Sequence, residues 1–141
     1  MISLKAIKRA VNDKLYEITG LPLYGKETKE GYEYPCLFIE LLTKPYKRGN
    51  VNWGSGGVKV KVTYLQETVD EEKQLMLVDL VKEHFGLNLK VGERYLSTGE
   101  IEMDYAGQNQ DILQITIDIP YEECLYEEDN TEIMQELEIR R

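Results

Sequence analysis

Residues 58–65 alternate apolar and polar side chains more regularly than any other part of the 141-residue chain. The apolar positions are Val58, Val60, Val62 and Tyr64, and the polar positions are Lys59, Lys61 and Thr63. Because successive side chains of a strand point to opposite faces, this alternation predicts a strand with one buried face and one exposed face. Such strands are typical of sheets that are covered on one side only, so the segment restricts the possible folds strongly.

Two amphipathic helices are predicted on either side of this strand. The first covers residues 4–19, begins after Ser3 and ends at Gly20, with an apolar face formed by Leu4, Ile7, Val11, Leu15 and Ile18. The second covers about residues 70–85, with Thr68 and Glu71 in capping-box spacing and Gly86 as its end. Its buried stripe is predicted to contain Leu75, Val78, Val81 and Phe85, widened by Met76, Leu77 and Leu80.

Further strands are predicted at residues 36–42, 94–97, 100–105 and 111–119, with the last two joined as a hairpin. The order of elements predicts an α+β fold, an antiparallel or mixed β-sheet with two helices packed on one face. We expect one domain over residues 1–120 and an acidic C-terminal tail over residues 121–141. Met134, Leu137 and Ile139 are the apolar side chains with which this tail would contact a sheet edge, its own or a neighbour's.

Net charge is −9, which argues against nucleic acid as the main partner, because affinity for phosphate backbones comes chiefly from lysine and arginine. The charge is also unevenly distributed. Residues 1–65 hold 11 Lys and Arg against 6 Asp and Glu, whereas residues 66–141 hold 6 against 20. If the fold keeps the halves on different surfaces, copies would associate head to tail; if it interleaves them, no dipole results.

The connection at residues 44–57 is long for an unstructured loop, since loops beyond about 12–15 residues are usually functional or disordered. It carries side-chain types that are common at protein interfaces, and we predict a partner-binding surface formed by Tyr46, Lys47, Arg48, Trp53, Lys59 and Lys61. The run Gly54, Ser55, Gly56, Gly57 lacks the lysine and helix of a phosphate-binding loop and is interpreted as a flexible hinge. The alternative is a flexible hairpin tip with Trp53 folded back on the domain.

Catalytic chemistry has little support in the sequence. His84 is the only histidine, which removes the commonest triads and multi-histidine metal sites. Cys36 and Cys124 are expected to be free thiols, with Cys36 in an apolar strand. We predict no catalytic residue, metal or cofactor.

Acidic side chains leave one alternative open. Glu100, Glu102 and Asp104 alternate along a strand face, and Glu40 lies inside an apolar strand, where it would pair with Lys59 or Lys61. A small metal-dependent enzyme or a regulatory binding domain that uses these acids is the alternative function.

Several segments together resemble a known family. They are the basic N-terminal helix, the sequence Glu-Tyr-Pro-Cys-Leu-Phe-Ile at residues 33–39, the strand at residues 58–64, the hairpin at residues 103–119 and the ending Met-Gln-Glu-Leu-Glu-Ile at residues 134–139. This succession resembles the phage tail terminator family of contractile-tailed phages, prophages and tail-like bacteriocins of Gram-positive bacteria. The resemblance extends over nearly the whole chain.

The resemblance implies a structural role without catalytic residues. Such proteins form a ring, usually of six subunits, that docks on the last ring of the tail tube, stops its growth and provides the joint to the neck. The implied partners are further copies of the chain, the tail tube protein, and neck or sheath proteins. No apolar run approaches the roughly 20 residues that span a bilayer, and the N-terminus lacks a secretory signal, so we expect no membrane partner. The expected location is the bacterial host cytoplasm during assembly and then the virion or tail-like particle.

Overall fold

A computed structural model describes residues 3–26, 31–86 and 88–124. Its centre is the antiparallel ladder between β4 (Trp53–Leu65) and β8 (Ile112–Cys124). The alternation found in the sequence lies at the middle of this ladder, where Val60 is opposite Ile117 and Lys61 is opposite Thr116. One face of both strands is therefore apolar and the other polar, as predicted.

Four more strands complete the main sheet. They are β1 (Leu23–Tyr24), β2 (Cys36–Thr43), β3 (Lys47–Arg48) and β7 (Ile101–Ala106). The order across the sheet is β1-β2-β4-β8-β7, and β3 also pairs with β4, beyond the end of β2. Only β1 and β2 are parallel, so the sheet is mixed. A separate hairpin is formed by β5 (Asn88–Val91), which the sequence did not predict, and β6 (Arg94–Ser97).

Both helices have caps that explain where they begin. In α1 (Leu4–Thr19) the side chain of Ser3 accepts a hydrogen bond from the amide of Ala6, as predicted. In α2 (Glu71–Phe85) the cap is Asp70, whose carboxylate accepts from the amide of Lys73, so the prediction of Thr68 as the cap is wrong. The side chain of Asp70 directly precedes the first helical turn, where it satisfies an amide that has no partner within the helix.

The core lies between the two helices and one face of the sheet, which confirms the predicted fold class. Ile7, Val11 and Leu15 of α1 are buried there with the apolar face of β4 and β8. In α2 the predicted Val78, Val81 and Phe85 are buried, together with Leu77. Leu75 and Met76 are exposed against prediction, and the unpredicted Gln74 is buried. The side-chain amide of Gln74 donates to the carbonyl oxygen of Asp111 at 2.9 Å, so this buried polar group has a partner.

Strand β8 continues past Pro120 to Cys124, so the described sheet extends beyond residue 120, where we expected the acidic tail to begin. The main-chain N–H and C=O of Asp118 bond to residues 100 and 99, so these groups point toward the β7 side of β8. Because main-chain direction alternates along a strand, the nitrogen of Pro120 points to the same side. Because β7 begins only at Ile101, opposite Ile117, the missing N–H of Pro120 costs no ladder bond. Residues 125–141, with the predicted contact residues Met134, Leu137 and Ile139, lie outside the described residues.

Candidate subunit-contact surface

Residues 44–57 form a β-hairpin rather than the loop predicted from their length. We call this hairpin, together with residues 120–124 of β8 that pair with it, the arm. Lys47 pairs with Ser55 and Arg48 with Gly54, and on the other side of β4 Trp53 pairs with Cys124. The tip is closed by Asn50, whose side-chain oxygen accepts from the amides of Asn52 at 2.7 Å and Trp53 at 3.0 Å. The arm is therefore a three-stranded extension of the sheet.

The glycines of the arm make room for an aromatic ring, so their interpretation as a flexible hinge is wrong. A Cβ atom at Gly54 would lie 1.9 Å from the hydroxyl oxygen of Tyr46 and 2.5 Å from its Cζ. At Gly56 a Cβ would lie 2.9 Å from Cδ1 of the same ring. The ring of Tyr46 thus occupies the space above β4 that side chains at residues 54 and 56 would otherwise fill, on the same face of the sheet as Val58 and Val60.

Tyr46 is held in this position by a second contact. Its hydroxyl donates to Oε1 of Glu123 at 2.9 Å, and Glu123 is buried. Loss of surrounding water, followed by this hydrogen bond to a carboxylate, raises the pKa of Tyr46 above its ordinary value. Burial and the nearby charge of Glu123 likewise raise the pKa of Tyr121. The arm therefore contains a small polar network on top of a glycine-lined strand.

Gly57 serves a different contact, on the opposite face of the sheet. A Cβ there would lie 2.9 Å from the carbonyl oxygen of Ile119 and 3.0 Å from Cδ of Lys44. The missing side chain lets Lys44 cross β4, and its ammonium lies 2.9 Å from a carboxylate oxygen of Asp118. This ion pair joins the base of the arm to β8, and because solvent still reaches both side chains we expect a modest contribution to stability.

The structure divides the six predicted contact residues between two faces. By register, Trp53, Lys59 and Lys61 share the face of β4 that lacks helices, and Lys47 lies beside them opposite Ser55. Tyr46 and Arg48 lie on the other face, and Tyr46 is occupied with the arm itself. Trp53 is 50% exposed, so the alternative in which it folds back into the domain is not what the structure shows.

Sequence reasoning missed Tyr121 and Glu123 because it ended the strand at Pro120. A signal was present, since Ile117, Ile119, Tyr121 and Glu123 continue a period of two along the apolar face. It also missed that Met103 and Tyr105 of β7 are exposed although they share a face with the buried Ile115 and Leu113. Both edges of the sheet therefore present apolar or aromatic side chains to solvent.

The acidic side chains of β7 point to solvent in the described structure. Glu102 and Asp104 are exposed, and Asp104 accepts a hydrogen bond from the amide of Tyr105. Among residues 3–26, 31–86 and 88–124, no three His, Cys, Asp or Glu side chains are placed to hold a metal ion. Glu40 is directly opposite Lys61, one of the two predicted partners.

His84, Cys36 and Cys124 belong to three different elements, α2, β2 and β8. His84 is exposed near the end of α2. Both cysteines are free, and burial raises the pKa of the Cys36 thiol, as suits an unreactive core residue. In the part of the chain that the structure describes, neither helix is long and apolar enough to span a membrane.

Comparisons with known proteins found a matching family model and similar solved structures. A family model described as phage tail terminator protein matches residues 6–132. Among solved structures, a chain from the virion of a native gene transfer agent particle matches with a TM-score of 0.57 and 10% identity, covering 85% of this chain and 96% of that one. At that identity the likeness shows a shared fold. A second solved chain has a TM-score of 0.44 and 14% identity, and no curated protein sequence matches significantly.

Proposed function

The chain belongs to the phage tail terminator family, and from this premise we propose that it is a ring subunit that caps the tail tube and stops its polymerisation. The same ring would provide the joint to the neck. The match covers α1 from its third residue onward and all the other described helices and strands, including the arm.

The arm is the observation that supports a capping surface best. It extends the sheet beyond the helices, and it is ordered by its own contacts rather than by a partner. Its exposed side chains include Arg48 and Trp53, types that carry much of the binding energy at protein interfaces. A preformed surface of this kind loses little conformational entropy when it docks.

We propose a homo-hexameric ring with three classes of partner: further copies of the chain, the tail tube protein, and neck or sheath proteins. Assembly would take place in the bacterial host cytoplasm, and the protein would then remain in the virion or tail-like particle. The work of such a ring is done by surfaces, and membership in a family of tail structural proteins suggests a non-enzyme. The exposed, divergent acids of β7 support the same view, because an active site needs polar groups that converge.

The experiment is an assembly assay in which purified tube protein polymerises with or without this protein. We expect the wild-type chain to give tubes of limited length, and a double substitution, Arg48→Glu with Trp53→Ala, to give tubes of uncontrolled length. The matched control, Lys5→Glu with Tyr16→Ala, changes an exposed cation and an exposed aromatic side chain on α1. Normal tube lengths with the arm variant would move the capping surface elsewhere, and tubes unaffected by the wild-type protein would contradict the proposed function.

A further inference from the structure

Strand β7 forms one edge of the main sheet, and its outer side is unpaired in the part of the chain that the structure describes. The main chain of Asp118 bonds to residues 99 and 100, so by alternation Glu102 and Asp104 bond to β8. The main-chain groups of Ile101, Met103 and Tyr105 then point away from the sheet. An exposed edge of this kind is a template for pairing with another chain.

The side chains of β7 give this edge exposed apolar surface on one face and negative charge on the other. Met103 is 48% exposed and Tyr105 37% exposed, although the strand next to them carries buried Ile115 and Leu113 on the same face. The other face of β7 carries Glu102 and Asp104, with Glu100 just before the strand. The edge thus combines exposed apolar side chains, outward main-chain groups and negative charge.

The opposite edge of the sheet is built in the same way but with the opposite charge. At the level of the arm, β8 occupies one side of β4, so β3 lies on the other side and is the outer strand there. Its residues are Lys47 and Arg48, both exposed. The amide of Gly49 donates to Trp53, so the main chain of Arg48 points outward. Tyr46 and Trp53 supply half-exposed aromatic surface beside these cations.

We propose that the basic β3 edge of one copy docks against the acidic β7 edge of the next copy. This inference rests on the proposed ring and names the partner of the arm as a second copy of the same chain. Because the two edges are different surfaces on opposite sides of the sheet, the contact is heterologous, and its repetition closes into a ring when the rotation between copies allows it. Charge complementarity fixes which edges meet and opposes pairing of like edges.

A competing explanation is that the acids of β7 protect the edge from pairing, as charged side chains often do. Asp104, which already accepts from the amide of Tyr105, fits that explanation at one position. The two explanations predict opposite effects of removing the charge. If the acids attract Lys47 and Arg48, their neutralisation weakens association; if they protect the edge, neutralisation strengthens it.

The test uses two full-length variants with reversed charges. The acidic-arm variant carries Lys47→Glu and Arg48→Glu, and the basic-edge variant carries Glu100→Lys and Glu102→Lys, which leaves Asp104 in place. Each variant alone should associate at least about tenfold more weakly than the wild-type chain, because its two edges then carry like charge. An equimolar mixture should associate again, because the acidic arm of one variant meets the basic edge of the other.

Sedimentation and native mass spectrometry at low salt measure these outcomes, with Lys5→Glu and Arg9→Glu on α1 as the charge-matched control. Complexes in the mixture should contain the two variants in equal numbers. The proposal is overturned if the mixture stays monomeric, if the single variants associate normally, if a Glu100→Gln, Glu102→Gln variant associates more tightly, or if the wild-type chain stays monomeric at millimolar concentration. Capping is read separately, so variants that cap tubes normally without associating would overturn the edge contact and leave the proposed function standing.

Discussion

The helix-covered part of the sheet and the arm differ in what covers the same face of β4 and β8. In the first, two helices supply the apolar side chains that bury β4 and β8, and Phe85 of α2 is fully buried there. In the arm, the ring of Tyr46, rather than α1 or α2, lies on the backbone at Gly54 and Gly56. A sheet can therefore extend beyond its core when a side chain from the sheet itself provides the cover.

This difference separates stability from function along a single strand. Residues 58–64 of β4 hold the fold together, while the beginning of the same strand presents Trp53 to solvent. Substitutions in the two halves should then have opposite consequences. Core changes should unfold the domain, and arm changes should leave it folded but alter its contacts.

The largest expected effect comes from substituting one aromatic residue in each region. Phe85→Ala should lower the free energy of unfolding by about 3–5 kcal/mol, because it leaves a cavity among fully buried side chains. Trp53→Ala, at a half-exposed position, should change it by less than about 0.5 kcal/mol. Urea denaturation of both variants measures the difference. Comparable losses would mean that the tryptophan belongs to the core and that the two regions are not separable.

Two glycine substitutions within the arm should differ in their effect on stability, by less than the two aromatic substitutions do. Gly57→Ala should lower the free energy of unfolding by about 1–3 kcal/mol, because the new Cβ meets the main chain of Ile119 and Pro120, which cannot move freely. Gly54→Ala should cost less than about 1 kcal/mol, because it meets the ring of Tyr46, which can rotate away, and because alanine restricts the unfolded chain.

We expect the loss of capping activity to be larger for Gly54→Ala than for Gly57→Ala, the reverse of their order in loss of stability. Gly54→Ala displaces Tyr46 from Glu123 and so disturbs the surface of the arm, whereas Gly57→Ala acts at its base. The tube-length assay and thermal unfolding, applied to the same two proteins, check the reversal. If Gly54→Ala proves both less stable and fully active, the ring of Tyr46 is part of the fold and not of the contact surface.

The same two regions show where sequence reasoning succeeds. The helices, the central strands and the fold class follow from side-chain periodicity, because burial against one face imposes a period of two or about 3.6 on the sequence. The family was also recognised from the order of these segments, and the family match over residues 6–132 confirms it. Periodicity predicts an element well when the element packs on a core.

In the arm the same method fails for a physical reason. Three glycines at residues 54, 56 and 57 erase the alternation of β4, although each absent side chain makes room for Tyr46 or Lys44. These contacts join the two strands of one hairpin, and no local pattern in the sequence gives the register that brings them together. The six predicted contact residues were chosen by type, and their division between two faces depends on a register that only the structure gives. Whether they bind a partner stays a prediction.

Added salt should weaken self-association through the arm more than it changes the stability of the helix-covered core. If the arm docks on the acidic edge of a neighbour, self-association should weaken as ionic strength approaches 1 M, where the Debye length is about 3 Å. The free energy of unfolding should change little over the same range, because the core is apolar. Sedimentation in a salt series, with parallel urea titrations, measures both. Rings that are indifferent to salt would mean that Met103, Tyr105 and Trp53 dominate the contact through apolar burial.

The smallest expected effect is an alkaline loss of stability that originates in the arm. The pKa values of Tyr46 and Tyr121 are raised in the folded chain, so folding favours their neutral forms. As the pH rises through about 10, the unfolded chain releases these protons first, and the stabilisation that is complete below that pH is progressively lost.

Tyr46→Phe and Tyr121→Phe should therefore each flatten the fall in stability above pH 10, while Tyr16→Phe on α1 serves as the control. Because the Tyr46 hydroxyl donates to Glu123 within the arm, its removal should leave the neutral-pH unfolding of the core nearly unchanged. An equal alkaline fall in all three variants would place the responsible groups outside the arm, and a large loss at neutral pH in Tyr46→Phe would show that arm and core unfold as one unit.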